Sequence, residues 1–414
     1  MTVMSNILFL VHRLPFPPNK GDKVRSYHLL KHLLEKHRVF LGTFIDTPED
    51  EAYVDEVRLL CPDSYIDRLR PVVQKIYCLT GFVSQEPLTL RYYQKSGFQA
   101  WVNTTLTENS IDAVVIFSAV MAQYVKLKSK VSPPMLVDFV DVDSEKWLQY
   151  SSAHHWPLSW VYRREGRLLR RFETLVATQS RKSFFVTDSE AALFKNVAPA
   201  CAMKLLSLSN GVDTHFYSSD PLRTSPYLGD DSDTKPLIIV FTGVMDYWPN
   251  IDAVVWFVNE IWPRLRLDWP QLLFYIVGRN PSSTVTALAS DSVVVTGTVP
   301  DVRPYLQFAT LVVAPLRVAR GVQNKILEAM AMARPVIATL ACAKAINATV
   351  DELVSTSGVI GFQNAINSLL NSPDEAELLG QRARARVIDS YGWTAHLSGI
   401  DHYLLPTEAE GGLV

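Results

Sequence analysis

The residues best equipped for chemistry crowd into one stretch, Ala314-Pro315-Leu316-Arg317-Val318-Ala319-Arg320-Gly321-Val322-Gln323-Asn324-Lys325-Ile326-Leu327-Glu328-Ala329-Met330. An apolar run ends at Pro315, a loop containing Gly321 follows, and a helical pattern opens near Val322. A helix N-terminus presents backbone N–H groups and partial positive charge, which suits a phosphate. Arg317, Arg320 and Lys325 add three cations at the same place. Lys325 and Glu328 are three residues apart and share a helix face. A cation for phosphate beside a carboxylate for a ribose diol makes a nucleoside-diphosphate grip. The same spacing also fits an i,i+3 surface ion pair with solvated arginines.

Other groups invite chemistry more weakly. Gly21 follows an apolar run and a proline-rich turn, and Lys23 and Arg25 open the next helix. A glycine there allows a ligand to approach the backbone closely, though an ordinary strand-to-helix turn uses the same residue. Asp138, Asp141 and Asp143 alternate as metal-binding carboxylates do, but without the glycine and terminal glutamate of a calcium loop. A sugar or acceptor contact, or a helix cap, is the preferred reading, and no metal is expected. Cys61, Cys78, Cys201 and Cys342 are far apart, which gives neither a zinc spacing nor a disulfide framework. Trp156 and Trp160 precede a helical run carrying Arg163, Arg164, Arg167, Arg170 and Arg171. Such a basic amphipathic helix suits anionic lipid headgroups. It equally suits a solvated face on which Glu165 and Glu173 are i,i+4-type partners. Val72 to Tyr93, rich in aromatics, reads as an apolar acceptor groove or as core.

The elements that must position these groups are short apolar runs alternating with helical patterns. Ile7–Val11, Val39–Phe44, Ala113–Phe117, Met135–Phe139 and Ser183–Thr187 read as buried strands, and the second half repeats the style from Leu237 to Thr339. Continuous apolar strands separated by helices predict parallel sheets covered on both faces. The fold class expected is α/β, two Rossmann-like doubly wound domains facing a cleft, with ligand loops at strand C-termini. The domains expected are 1–208 and 209–392, with a C-terminal helix over 393–414 packing back on the first. The polar stretch 224–234 reads as a linker.

Composition agrees. The 414 residues are 48% apolar and 20% charged with a net charge of −2, which excludes a disordered chain and a dedicated nucleic-acid binder. The total hides an asymmetry: residues 1–210 hold 26 Lys and Arg against 21 Asp and Glu, leaving 14 against 21 for the rest. The apolar run Ile7–Val11 breaks at His12, Arg13 and Pro15, too short for a secretory signal, and no run reaches the length of a membrane span. A cytoplasmic protein that can touch the inner face of the plasma membrane is expected.

The donor-loop stretch resembles the nucleotide-sugar site of the retaining GT-B glycosyltransferases (glycosyl transferases group 1, family 4-like). Further stretches resemble the family in order along the chain: Val186-Thr187-Asp188-Ser189-Glu190, Asn210-Gly211-Val212-Asp213, Phe241-Thr242-Gly243 with Pro249-Asn250, Val277-Gly278, and Tyr391-x-Trp393. The opening Pro15 to Arg25 and the run Asp138 to Trp147 look like a bacterial subgroup associated with exopolysaccharide assembly. The resemblance implies transfer of a sugar from a UDP- or GDP-linked donor to an acceptor hydroxyl with retention, without metal or other cofactor, in exopolysaccharide or glycolipid assembly. It implies donor binding by Gly21, Gly243, Gly278, Arg317, Gly321, Val322, Lys325 and Glu328. Lys23 and Arg25 fall on the acceptor side, and Arg320, Lys325, Asp141 and Asp143 at the reaction centre. A polyprenyl-linked or lipid acceptor is the expected partner. Three departures stand out. The family places two glutamates eight residues apart, and here Arg320 occupies the earlier position. Val244-Met245-Asp246-Tyr247-Trp248 replaces the usual Arg and Lys after Gly243. Asp138, Asp141 and Asp143 stand where many members carry a sugar-contacting His. These departures keep two alternatives in view, a catalytically weak nucleotide-sugar-binding subunit and a nucleotide-sugar epimerase.

Overall fold

In the first half of the chain, apolar residues run without alternation through the strands, and the computed structural model shows why. Ile7 to Val11 and Ala113 to Phe117 lie in the middle of a parallel sheet and are buried on both faces. The structure describes residues 4–18, 21–125, 133–227, 236–319 and 321–404. It divides into unit 1, which runs to Ser209 and includes the segment from Leu397, and unit 2, Asn210–His396.

Unit 1 holds β1 (Asn6–Val11), β2 (Arg38–Ile45), β3 (Ser64–Arg68), β4 (Ala113–Phe117), β5 (Met135–Val140), β6 (Lys182–Phe185) and β7 (Leu205–Ser207). They pair in parallel in the order β3-β2-β1-β4-β5-β6-β7. The order reverses between β1 and β4, which is where open α/β sheets place a ligand crevice. The helices that position side chains here are α1 (Gly21–Leu34), α2 (Pro71–Ser84), α3 (Leu88–Tyr92), α4 (Asp143–Ala153) and α5 (Leu158–Gln179). Phe44, Phe98, Tyr124, Phe185 and Phe194 fill the core behind the sheet. β5 ends in a register shift, and Val140 adopts a left-handed φ of 68°. That conformation is strained for a β-branched residue.

Unit 2 holds β8 (Ile238–Thr242), β9 (Leu273–Val277), β10 (Val293–Gly297), β11 (Leu311–Ala314), β12 (Val336–Thr339) and β13 (Val354–Thr356), again parallel, in the order β10-β9-β8-β11-β12-β13. Its reversal lies between β8 and β11. Its positioning helices are α6 (Trp248–Trp256), α7 (Asn324–Ala331) and α8 (Pro373–Ser390). α9 (Trp393–Leu404) begins in unit 2 and ends in unit 1, where Asp401 accepts from His32 Nε2 at 2.8 Å and Lys36 Nζ at 2.5 Å. Residues 405–414 lie outside the described residues.

Two expectations change. The stretch beginning at Thr224 is no free linker as far as it is described, because it packs on unit 2. Tyr227 is buried against Tyr275 and donates its hydroxyl to the Tyr305 carbonyl, and the preceding Arg223 pairs with Gln307. The acidic residues 230–233 lie outside the described residues. Glu165 and Glu173 are not surface partners on α5, since each is only 1% exposed. Glu165 accepts from the backbone N–H groups of Leu88 and Thr89 and from the Thr89 hydroxyl, closing the start of α3. Glu173 accepts from the N–H and hydroxyl of Ser144 at the start of α4. Acidic side chains at helix starts answer the open N–H groups there.

Candidate functional site

In unit 2 the candidate site is built from the ends of β8 and β9, the start of α6 and the start of α7. Gly243 follows β8 and donates its N–H to the Val277 carbonyl at 3.0 Å. Gly278 follows β9 with φ +154°, and a Cβ there would lie 1.6 Å from the Gly243 carbonyl oxygen. No side chain fits between these two strand ends. A Cβ on Gly243 itself would meet Lys325 Nζ at 2.9 Å, so the ammonium stands directly over that bare backbone.

Lys325 is oriented by residues far away in sequence. Its Nζ donates to Asn250 Oδ1 at 2.5 Å and lies 4.2 Å from the centre of the Phe241 ring. Asn250 is fixed in turn by donating Nδ2 to the Val244 carbonyl at 2.8 Å. Burial pushes the Lys325 ammonium down to about 7, against the pull of Glu328. Glu328, one turn on, is pushed up by burial, against the Tyr217 hydroxyl that donates to it and the charge of Lys325. Arg384 on α8 holds Tyr217 in place by donating to the carbonyls of Thr214, Tyr217 and Ala331. A lysine held close to its neutral form beside a glycine cradle is ready to take charge when an anion arrives.

The loop before α7 carries the other expected cations. Gly321 adopts a left-handed φ of 64° just before the helix. Val322 packs against the core of the unit. Arg317 is exposed and binds both oxygens of Asp252, with its guanidinium 5.6 Å from the Trp256 ring. Its charge is therefore already matched on α6, which differs from the phosphate contact expected of it. Arg320 lies outside the described residues. Arg279, exposed just after Gly278, is a further cation at this strand end. Sequence reasoning passed over Asn250 as a lysine partner, and also Tyr217 and Arg384. The motif Pro249-Asn250 was the one available signal.

In unit 1 the corresponding place is the end of β1 and β4. His12 directly follows β1, donates its backbone N–H to the Phe117 carbonyl at 2.9 Å and stacks on the Phe117 ring at 5.8 Å. Its Nε2 lies 3.8 Å from Asp22 Oδ2, and its ring meets Tyr93 edge-on at 5.9 Å. Burial pushes the imidazole below its ordinary value, against the charge of Asp22, so it is neutral near pH 7. Arg13 bridges Asp22 at 3.1 Å and Asp46 at 2.6 Å. Behind Tyr93, a cavity of about 260 Å³ is lined by Leu88, Tyr92, Trp147, Val161 and Tyr162 among others. At the sequence level His12 figured only as the residue that breaks an apolar run.

Lys23 and Arg25, expected on the acceptor side, lie within the interior of unit 1. Both are only 1% exposed, Lys23 held by Asp50 at 2.5 Å and Arg25 by Asp138 at 2.6 Å and the Ser209 carbonyl at 3.2 Å. They are buried ion pairs that tie α1 to its surroundings, since a buried charge must be matched. Asp141 and Asp143 share Lys146, at 2.8 and 3.2 Å, and the Asp143 charge also acts on His12. Gly21 opens α1 beside Asp22, with open space where a Cβ would stand.

Residues 236–372, from the edge of β8 through the cradle and α7, match the family model Glycosyl transferases group 1. No curated protein sequence matches the chain. Among solved structures, HepE of Anabaena in complex with UDP and glucose is similar at a TM-score of 0.61 and 14% identity, over 97% of this chain and 99% of that one. Sucrose-phosphate synthase of Thermosynechococcus elongatus follows at 0.59 and 16%, over 96% and 98%. WaaG, a glycosyltransferase involved in lipopolysaccharide biosynthesis, stands at 0.55 and 16%, over 96% and 99%. The two parallel-sheet α/β units have the fold of GT-B glycosyltransferases.

Proposed function

We propose that the protein transfers a sugar from a nucleotide-diphosphate sugar, UDP-linked in the first instance, to an acceptor hydroxyl. The observation that carries this reading is Lys325, held by Asn250 and Phe241 over the bare backbone of Gly243 and Gly278. A diphosphate seated there meets an ammonium whose lowered pKa it restores, with the start of α7 adding its dipole. Glu328, steadied by Tyr217, is the ribose-diol partner. In unit 1 the neutral His12 with Asp22 is the acceptor-side group, and the apolar cavity behind Tyr93 suits a lipid-linked or polyprenyl-linked acceptor. Retention of configuration, independence of a divalent metal and a place in bacterial exopolysaccharide or glycolipid assembly, at the inner face of the plasma membrane, follow from the family resemblance. That HepE binds UDP and glucose and WaaG acts in lipopolysaccharide biosynthesis supports the donor and acceptor classes.

The test is a thermal-shift screen with UDP, GDP and their sugars, followed by transfer to polyprenyl-diphosphate glycans. A UDP-linked sugar should raise the melting temperature of the wild type and not of Lys325→Ala. An equal shift in both proteins would overturn the diphosphate assignment.

A further inference from the structure

We infer that α2 and α5 together form a docking surface for an anionic phospholipid bilayer. The inference deepens the membrane part of the proposed function, and its physical basis lies wholly in unit 1.

The surface is apolar on one helix and cationic on the other. α2 contains no acidic residue and exposes Val72, Ile76, Tyr77 and Leu79 to solvent. Just before α5, Trp156 is 81% exposed, and Trp160 on the helix is 54% exposed. Single exposed apolar residues need no explanation, but a run of aliphatic and aromatic side chains on adjoining helices does. The helices are locked together by Arg164, which donates to the carbonyls of Gly81 and Glu86 and lies 5.0 Å from the Phe82 ring. Phe82 and Trp160 stack at 6.0 Å.

Between them runs a groove of about 400 Å³ lined by Phe82, Trp160, Arg163, Arg164, Arg167 and Arg171 among others. Arg163, Arg167 and Arg171 follow one face of α5 and are exposed, with no carboxylate partner among the described residues. The two acidic residues of α5 cannot serve, because Glu165 and Glu173 point inward and cap α3 and α4. Arg170, at the edge of the stripe, is taken by Glu145. The fold therefore removes the negative charges from the outer face and leaves the positive ones there.

Charge complementarity decides the occupant. An uncompensated guanidinium stripe attracts anionic headgroups, while indole rings prefer the headgroup level of a bilayer. Among the described residues no helix is long and apolar enough to cross a membrane, so the contact is with the surface.

The experiment is flotation of the full chain with vesicles of phosphatidylcholine alone and of equal parts phosphatidylcholine and phosphatidylglycerol. The wild type should float with the anionic vesicles, in a salt-sensitive manner, and remain with the solution beside neutral ones. Arg163→Gln, Arg167→Gln and Arg171→Gln combined should lower partitioning about a hundredfold. Trp156→Ser should lower it about tenfold while keeping the salt dependence. Melting curves and UDP binding by these variants should match the wild type. Equal partitioning of wild type and triple variant, or equal binding to neutral and anionic vesicles, would overturn the inference. Self-association abolished by Trp156→Ser, without vesicle binding, would overturn it in favour of a second copy on this face. A wild-type chain that binds UDP but not anionic vesicles sinks the docking surface alone, and one that binds the vesicles but not UDP sinks the donor assignment alone.

Discussion

Lys325 shows how a side chain acquires chemistry from distant neighbours. Its partner Asn250 is 75 residues away. Burial holds its pKa near 7, and a bound diphosphate would return it toward the ordinary lysine range. Nucleotide binding should then take up a proton above pH 7, and affinity should fall by about tenfold per pH unit above that value. Calorimetry in buffers of different ionisation enthalpy measures both effects, and Lys325→Ala should abolish the uptake. The same variant should lower donor turnover by about a hundredfold or more with an unchanged melting curve, as loss of a preorganised charge does. Glu328→Ala should mainly weaken nucleotide affinity, and calorimetry showing wild-type affinity would remove the ribose contact. That Lys325 and Glu328 share a face was legible from their spacing. That Arg317 is engaged by Asp252, 65 residues away, was not, because loop composition carries no information about which carboxylate folds back onto it.

The glycines at the ends of β8 and β9 are a backbone device. The Cβ of Gly278→Ala would meet a carbonyl oxygen that cannot move without breaking the strand pair, so the substitution should cost more than about 3 kcal/mol in urea unfolding. Gly297→Ala, where φ is +68° and no atom lies within 4 Å, should cost about 1 kcal/mol. Glu173 makes a second prediction between α4 and α5. Burial pushes its carboxyl up to about 8, against the Ser144 hydroxyl that donates to it, so the folded chain holds a proton there that the unfolded chain has released. Its contribution is complete below the ordinary glutamate range and is lost as pH rises toward 8, with a slope of about 1.4 kcal/mol per pH unit. The pH dependence of stability in Glu173→Gln should lack that slope. The central strands were legible from apolar runs alone. β3, β7 and β13 were not, because short strands at or near a sheet edge keep polar residues and give no continuous run. On α5 the basic face was legible, whereas the inward turn of Glu165 and Glu173 depends on where α3 and α4 begin.

Each unit of the molecule carries its own core, one built on Phe44, Phe98 and Phe185 and the other on Phe241, Phe257 and Phe274. Calorimetric unfolding should resolve two transitions. UDP at about a hundred times its dissociation constant should stabilise only the transition of unit 2, by about 2.7 kcal/mol. A uniform shift of both would place the nucleotide elsewhere. The charge asymmetry between the halves of the chain, legible by counting, acquires a location here. Part of the excess positive charge in the first half lies along α5, because its acidic residues are buried. In unit 2 Lys325 stands as a local exception to a negative background.

By itself the sequence determined the fold class and the central strands and pointed to the loop proposed to bind the donor, because apolar periodicity, glycine position and i,i+3 spacing are local properties. The tertiary structure alone decided which charges are available. It buried Lys23 and Arg25 against Asp50 and Asp138, matched Arg317 to Asp252, held Lys325 near neutrality over Gly243 and placed His12 beside Asp22. Pairing and desolvation depend on what lies within a few ångströms in space, and for these side chains most of the decisive neighbours are remote along the chain.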